Sequence, residues 1–414
     1  MNEKLWTRDF TIITLGSVVS MLGSAISGFG ISLLVLDYSK STFLYVLFMV
    51  VYNLPRVVMP LVAGPFLDRY SRKKVIYSLD FLSTVLYISF FFIVRGGFFN
   101  YGTLLIFSLI LGTSDSIYSV AYESFYPTLI AKGNFSKAYS IASLIFPLSA
   151  LMSPVAAVLY DKIGLAPIFA FNAITFFIAA VFETQIKAKE THISQIKEKF
   201  SVSQYKSDFI DGLSYIKAEK GLAVIVAYFS INMFTSSAYG ALQLPYFKAT
   251  PSLGLWGFSS VVMYTVVAGA GVFGRVVGGA IHYKFKYPVN KKFIIALFVY
   301  IMFTFFDGAM LYFPVIVMII ISFIVGMMGV TSYNIRISAT QSYVPDNRRA
   351  RFNGTFSMMC TFFGIIGQLL VGALADAIDI RIVIVIFNSI NMIAIYFTMY
   401  RGREYVKPIY NRQV

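Results

Sequence analysis

Four charged residues of the first half of the chain fall inside or at the edge of apolar runs: Arg56, Asp80, Asp115 and Glu123. An ionisable group in such surroundings is costly, so each must have a partner or a task. Asp115 lies mid-run among Gly112, Ser114, Ser116 and Tyr118. A carboxyl in a half-wet cavity can exchange a proton when that cavity switches sides, although the same polarity would also suit a passive water ligand. Glu123, two turns further on, is a second candidate for the same task. Arg56 follows Pro55 and needs a counter-ion, for which Asp80 and Glu123 are the candidates. An ion pair that merely knits this half together is an equal reading for Arg56 and Asp80.

A second set of residues mixes rings with amides. Asn232, Ser236, Tyr239 and Gln243 recur at helical spacing, and Tyr333 with Asn334 and the stripe Ser20, Ser24 and Ser27 add to them. With Tyr118 they could line a cavity for a bulky, weakly polar or cationic molecule, whose charge aromatic faces can hold. Helix packing through small residues explains the serines equally well. Arg275 and Arg336 sit near the inner ends of runs and Asp307 near an outer end, where snorkelling is an adequate account. A single cysteine, Cys360, and two distant histidines, His192 and His282, point to no metal centre, no disulfide and no catalytic dyad, and no cofactor is implied.

The elements that carry these residues are legible from composition. Of 414 residues 58% are hydrophobic and 13% charged, with a mean hydropathy of +0.74, far too apolar for a soluble domain. About 20 apolar residues span a bilayer as a helix. Twelve such runs are expected, at 11–36, 42–63, 75–94, 101–125, 138–160, 166–182, 222–246, 255–281, 292–312, 314–336, 352–375 and 382–400. The first is too long and too rich in glycine for the core of a cleaved signal peptide and should remain in the mature protein. With the N-terminus inside, the cytoplasmic segments hold 26 Lys and Arg, the external loops hold 5 (Lys40, Arg95, Lys162, Lys248 and Arg381) and 3 lie in helices. Both termini are therefore expected in the cytoplasm of a multi-pass cell-membrane protein. The net charge of +15 reads as topology and attraction to anionic headgroups of the bilayer, not as nucleic-acid binding.

The longest polar stretch divides six runs from six, giving expected units at 1–186 and 222–414 with a linker at 187–221. Within the linker Phe209, Leu213, Ile216 and Ile210 recur at helical spacing, as an amphipathic or simply solvated helix would require. The halves echo each other at an offset of about 215 residues. Phe171-Asn172 returns as Phe387-Asn388, Asp161 as Asp376, and the segment ending in Pro127 as that ending in Pro345. Pro147, Pro154, Gly269, Gly271 and Gly274 should kink or loosen their helices.

Between the second and third runs the chain reads Gly64-Pro65-Phe66-Leu67-Asp68-Arg69-Tyr70-Ser71-Arg72-Lys73-Lys74. A basic cluster is ordinary in an inner loop, but Gly64 and Asp68 at their places are not explained by topology alone. This segment resembles the loop signature of the major facilitator superfamily, and the resemblance extends over the whole chain in its arrangement of runs. It implies an all-α membrane protein of twelve transmembrane helices in two homologous six-helix bundles around a central cavity. It also implies a gating loop of Gly64, Asp68, Arg69, Arg72 and Lys73. The equivalent place in the second half, Gly278-Gly279 with Tyr283, Lys284 and Lys286, lacks the acid. Leu5-Trp6-Thr7-Arg8-Asp9-Phe10 and Ser20-Met21-Leu22-Gly23-Ser24 are similar to drug antiporters of the macrolide-efflux type. That similarity implies a monomeric, non-enzymatic antiporter driving multidrug efflux, whose partners are a small-molecule substrate and protons. A lipid or lysolipid carrier, and a receptor or scaffold that reuses the fold, remain open alternatives.

Overall fold

A computed structural model describes residues 5–67, 70–130, 152–188, 190, 202–284 and 288–412, together with Ala138, Ile141, Ala142, Ile145 and Ser149. The first unit holds α1 (Arg8–Ser39), the part of α2 (Thr42–Asn53) from residue 47 onward, α3 (Pro55–Leu67), α4 (Arg72–Arg95), α5 (Tyr101–Phe125), α6 (Met152–Ile163) and α7 (Leu165–Thr184). The second holds α8 (Val202–Ala218), α9 (Lys220–Ala249), α10 (Ser260–Lys284), α11 (Lys292–Ala309), α12 (Val315–Tyr343), α13 (Asp346–Ala375), α14 (Ile380–Ala394) and α15 (Arg403–Tyr410). The units divide as residues 1–40 with 47–200, and 41–46 with 201–414. Among the described residues eleven helices are long and apolar enough to cross a membrane. Of the expected run at 138–160, residues 139–140, 143–144, 146–148 and 150–151 lie outside the described residues, Pro147 among them.

The helices are built for a solvent of lipid, with polarity inside and grease outside. On α4 Asp80, Ser83 and Thr84 are buried, whereas Leu82, Val85, Ile88 and Phe92 face outward at helical spacing. Behind the buried face an aromatic core closes α4 on α5 and α7. Phe90 stacks on Phe107 at 3.9 Å, and Tyr87 stacks on Phe176 at 5.7 Å. The second expected run is broken in two at Leu54, because Pro55 cannot donate a helical hydrogen bond and its ring pushes the preceding residue out of helical geometry.

Small residues set how closely the helices approach, since lipid gives them no hydrophobic push toward one another. Gly16, Gly23 and Gly30 lie seven apart on α1 and seat α7, and a Cβ at Gly23 would stand 2.2 Å from Asn172 Oδ1. In the second unit α10 runs unbroken through its glycines, contrary to the expectation of a loosened span. Gly271 and Gly274 instead lie against Ser322 and Phe323 of α12, so the missing side chains make a tight seam. Pro154 lies within the described helix α6. Asn172 and Asn388, the paired asparagines of the repeat, are both buried, whereas Phe387 is buried and Phe171 exposed.

The linker helix α8 packs within the second unit and is not a free connector. Ile216 is buried, Ile210 faces out, and a Cβ at Gly212 would stand 2.2 Å from Thr355 Oγ1 of α13. After α14 the chain widens into a π-helical segment, Ile395–Tyr400, and then returns as α15. Val406, Ile409 and Tyr410 of α15 are buried, and the Tyr410 hydroxyl meets that of Tyr300 at 3.0 Å.

The α1 stripe carries a direct test. Gly23→Val should lower thermal stability by about 1–3 kcal/mol through overpacking. Gly28→Ala should be close to neutral, because nothing lies within 4 Å of a Cβ at Gly28. Labelling of Cys360, the one cysteine of the chain and a buried one, by a thiol-reactive dye during heating reads both.

Candidate functional site

The candidate site in the first unit begins where α2 crosses α5. A Cβ at Gly112 would stand 2.0 Å from the Tyr52 carbonyl oxygen, so only glycine allows the two backbones to meet there. That crossing aims Tyr52 at the next turn of α5, where its hydroxyl donates to Asp115 Oδ2. Arg56 stands one turn beyond Tyr52, its guanidinium carbon 5.5 Å from the Tyr52 ring centroid and within electrostatic range of Asp115. Ser116 donates to the Pro55 carbonyl at 3.4 Å, so the proline break joins the same cluster. Ser114 and Ser116 are buried on either side of Asp115, which is itself half-buried. The result is an acid with a hydroxyl donor and a guanidinium nearby, a set able to hold the carboxyl in either protonation state.

Of the counter-ions expected for Arg56, neither pairs with it among the described residues. Glu123 is exposed and accepts from Ser119 of its own helix at 3.2 Å. Asp80 lies buried beside Glu183 of α7, the two carboxyls within electrostatic range of each other. Tyr118 of α5 lies near these two carboxyls. Its hydroxyl is 3.4 Å from Ser17 Oγ and in electrostatic range of both Asp80 and Glu183, and its ring begins a stacked ladder through Tyr122 to Tyr126.

The gating loop is partly described. Gly64 lies in the last turn of α3, and Asp68 and Arg69 lie outside the described residues. Ser71 caps α4 by accepting from the Lys74 amide at 3.2 Å. Arg72 donates to the Ser124 carbonyl near the end of α5 at 2.9 Å, where the helix dipole favours a cation. Lys73 donates from its amide to Glu190 at 3.0 Å and from Nζ to the Ile186 carbonyl at 2.8 Å. The basic cluster therefore ties the ends of α5 and α7 to the start of α4. In the second half Tyr283 and Lys284 belong to the last turn of α10, and Lys286 lies outside the described residues.

In the second unit Gln243 donates to the Tyr239 hydroxyl at 2.6 Å, and that hydroxyl lies 2.6 Å from Met310 Sδ. Asp307 is buried, within electrostatic range of Tyr239 and Arg275, so a carboxyl expected to snorkel outward instead faces the interior of its unit. Arg336 does not snorkel either. Its guanidinium lies over Phe229 and Phe356 at 4.9 Å each and over Tyr333 at 5.5 Å, a box of rings that holds the charge in place of water. Tyr333 is otherwise exposed, while Asn232 and Asn334 are half-buried. Three residues were missed by sequence reasoning. Tyr52 could have been found one turn before Arg56 on the same face, Asp307 was misread from its place near a helix end, and Glu183 was hidden by the polar linker that follows it.

The loop contacts predict that Arg72→Ala costs about 1.5–3 kcal/mol, the range for a hydrogen bond from a charged donor. Arg72→Lys should retain part of that stability, because it keeps the charge but loses the planar fork. Thermal unfolding followed at Cys360 measures both.

Known proteins share the fold of this chain. The sequence pattern described as Major Facilitator Superfamily matches residues 13–367. A curated relative, the uncharacterised MFS-type transporter YkuC of Bacillus subtilis (strain 168), is 23% identical over 288 residues, covering 67% of this chain and 66% of that protein. The match thus spans just under two thirds of that relative's length. Among solved structures, the nucleoside transporter NupG superposes with a TM-score of 0.74 at 13% identity, covering 96% of this chain and 100% of that one. A bacterial homologue of the iron transporter ferroportin, in an inward-facing state, superposes with a TM-score of 0.67 at 12% identity over 97% of this chain and 100% of that one. With its loop signature, its membrane-spanning helices and this match over most of its length, the chain belongs to the Major Facilitator Superfamily of transporters.

Proposed function

We propose that this transporter exports an amphipathic small molecule against a flow of protons, with Asp115 as the acid that carries the proton. The observation that carries the reading is the Tyr52–Asp115–Arg56 cluster at the crossing of α2 and α5. A proton carrier inside a membrane must tolerate both charge states. The Tyr52 hydroxyl and the Arg56 guanidinium favour the ionised carboxyl, and the apolar surroundings favour the neutral one. Tyr118 and the polar set of the second unit, Tyr239 and Gln243 with Asn232, Tyr333 and Asn334, are the proposed substrate-facing residues. Rings and amides with few free charges suit a bulky, weakly polar or cationic substrate. Gly64, Arg72 and Lys73, with Asp68 and Arg69, serve as the gate that regulates which side the site meets.

Substrate-evoked proton movement in proteoliposomes tests this, with a panel of macrolides, cationic dyes, lysolipids and nucleosides. At least one compound should drive protons across the membrane in the unmutated protein, and Asp115→Asn should reduce that flux at least tenfold while leaving the protein folded. Normal exchange in Asp115→Asn would remove Asp115 from the role. Lysolipid movement without proton flux would replace drug export with lipid carriage. Tyr52→Phe should alter the pH profile of transport with little change in folding, and a profile that superimposes on that of the unmutated protein would show that the hydroxyl does not act on Asp115.

A further inference from the structure

A second carboxyl site lies in the first unit, outside the Asp115 cluster. Asp80 of α4 and Glu183 of α7 are 1% and 0% exposed and stand side by side. Asp80 Oδ2 and both oxygens of Glu183 are buried without a hydrogen-bond partner, and no basic side chain pairs with either group among the described residues. The wall opposite is α1. A Cβ on Gly16 would stand 3.2 Å from Glu183 Oε1, so the helix leaves just enough room for the carboxyl. The titratable groups that face the pair are on α5: the Tyr118 hydroxyl, in electrostatic range of both carboxyls, and Asp115, in range of Asp80. None of them is a cation.

Two carboxylates cannot both stay ionised in contact with each other and away from water and counter-charge. Nor can one donate to the other unless a proton is present. Among the described residues no third His, Cys, Asp or Glu joins them in a group that could hold a metal ion, so the smallest cation is the best match.

We infer that Asp80 and Glu183 form a shared-proton site that holds the α1–α4–α7 seam closed when loaded and strains it when empty. One proton lies between the two carboxyls, donated by one and accepted by the other, and the pair behaves as a unit. Its departure leaves two like charges side by side, that of Glu183 against Gly16. The inference rests on the transporter reading for its purpose but not for its chemistry.

Infrared spectroscopy of the purified full chain, with isotope-labelled Asp and Glu, tests the site without substrate or transport. At pH 7 the unmutated protein should show a protonated-carboxyl band that survives Asp115→Asn and loses one carboxyl's intensity in Asp80→Asn/Glu183→Gln. The amides mimic the neutral pair, and each single variant, also expected to fold, leaves one buried carboxyl that keeps its proton, so the band should persist there and shift in frequency as the shared hydrogen bond is lost. An unchanged band in all three variants would overturn the shared proton. Replacement of the band by ionised carboxylate on adding Na+ or Ca2+ at constant pH would overturn it too, in favour of a metal cation. Loss of substrate-driven flux in Asp115→Asn with the pair's band intact would separate the two sites.

Discussion

A carboxyl group inside a membrane has no bulk water to solvate it, and the architecture of the first unit follows from that shortage. Two of its acids, Asp115 and Glu183, sit where a glycine lets neighbouring helices come close. Asp115 is reached by Tyr52 because Gly112 lets α2 touch α5. Glu183 lies against α1 because Gly16 offers no side chain there. Close approach of this kind brings a donor, or a second acid, within reach of a charge that lipid alone would expel. Glycine thus acts here through the space it leaves, and the helices it joins remain continuous.

The second unit solves the same problem with rings. Arg336 is surrounded by Phe229, Tyr333 and Phe356, and Tyr239 collects Gln243 and Met310 around its hydroxyl while Asp307 lies in range. Aromatic faces stabilise a cation without supplying a formal negative charge, so this unit offers a softer environment than the acid-rich first one. The proposed division of labour, protons in the first unit and substrate contacts shared with the second, grows from that difference in chemistry.

Much of this was legible in the sequence, and the exceptions share a cause. Asp115 stood out because it interrupts a long apolar run, and the helical periods, the polar linker and the loop after α3 could be read from hydropathy and spacing. Glu183 did not stand out, because it lies in the last turn of a span that runs directly into a charged segment, and hydropathy cannot tell a buried end from a solvated one. Asp307 was misjudged for the same reason at the opposite kind of boundary. The partner of Arg56 was sought in Asp80 and Glu123, whereas the structure sets it over the Tyr52 ring and in electrostatic range of Asp115; sequence distance carries no information on which helix crosses which. The glycines of α10 were read as flexible because their neighbours in α12 were invisible until the two helices were seen together.

Proton release on substrate binding by the purified protein in detergent, followed with a pH indicator in weak buffer, tests the central claim most directly because it needs neither a gradient nor turnover. The account predicts that a transported compound displaces about one proton per chain from the unmutated protein and none from Asp115→Asn, which still binds it. Equal proton release from both proteins would contradict the assignment of Asp115 as the group that exchanges its proton for the substrate.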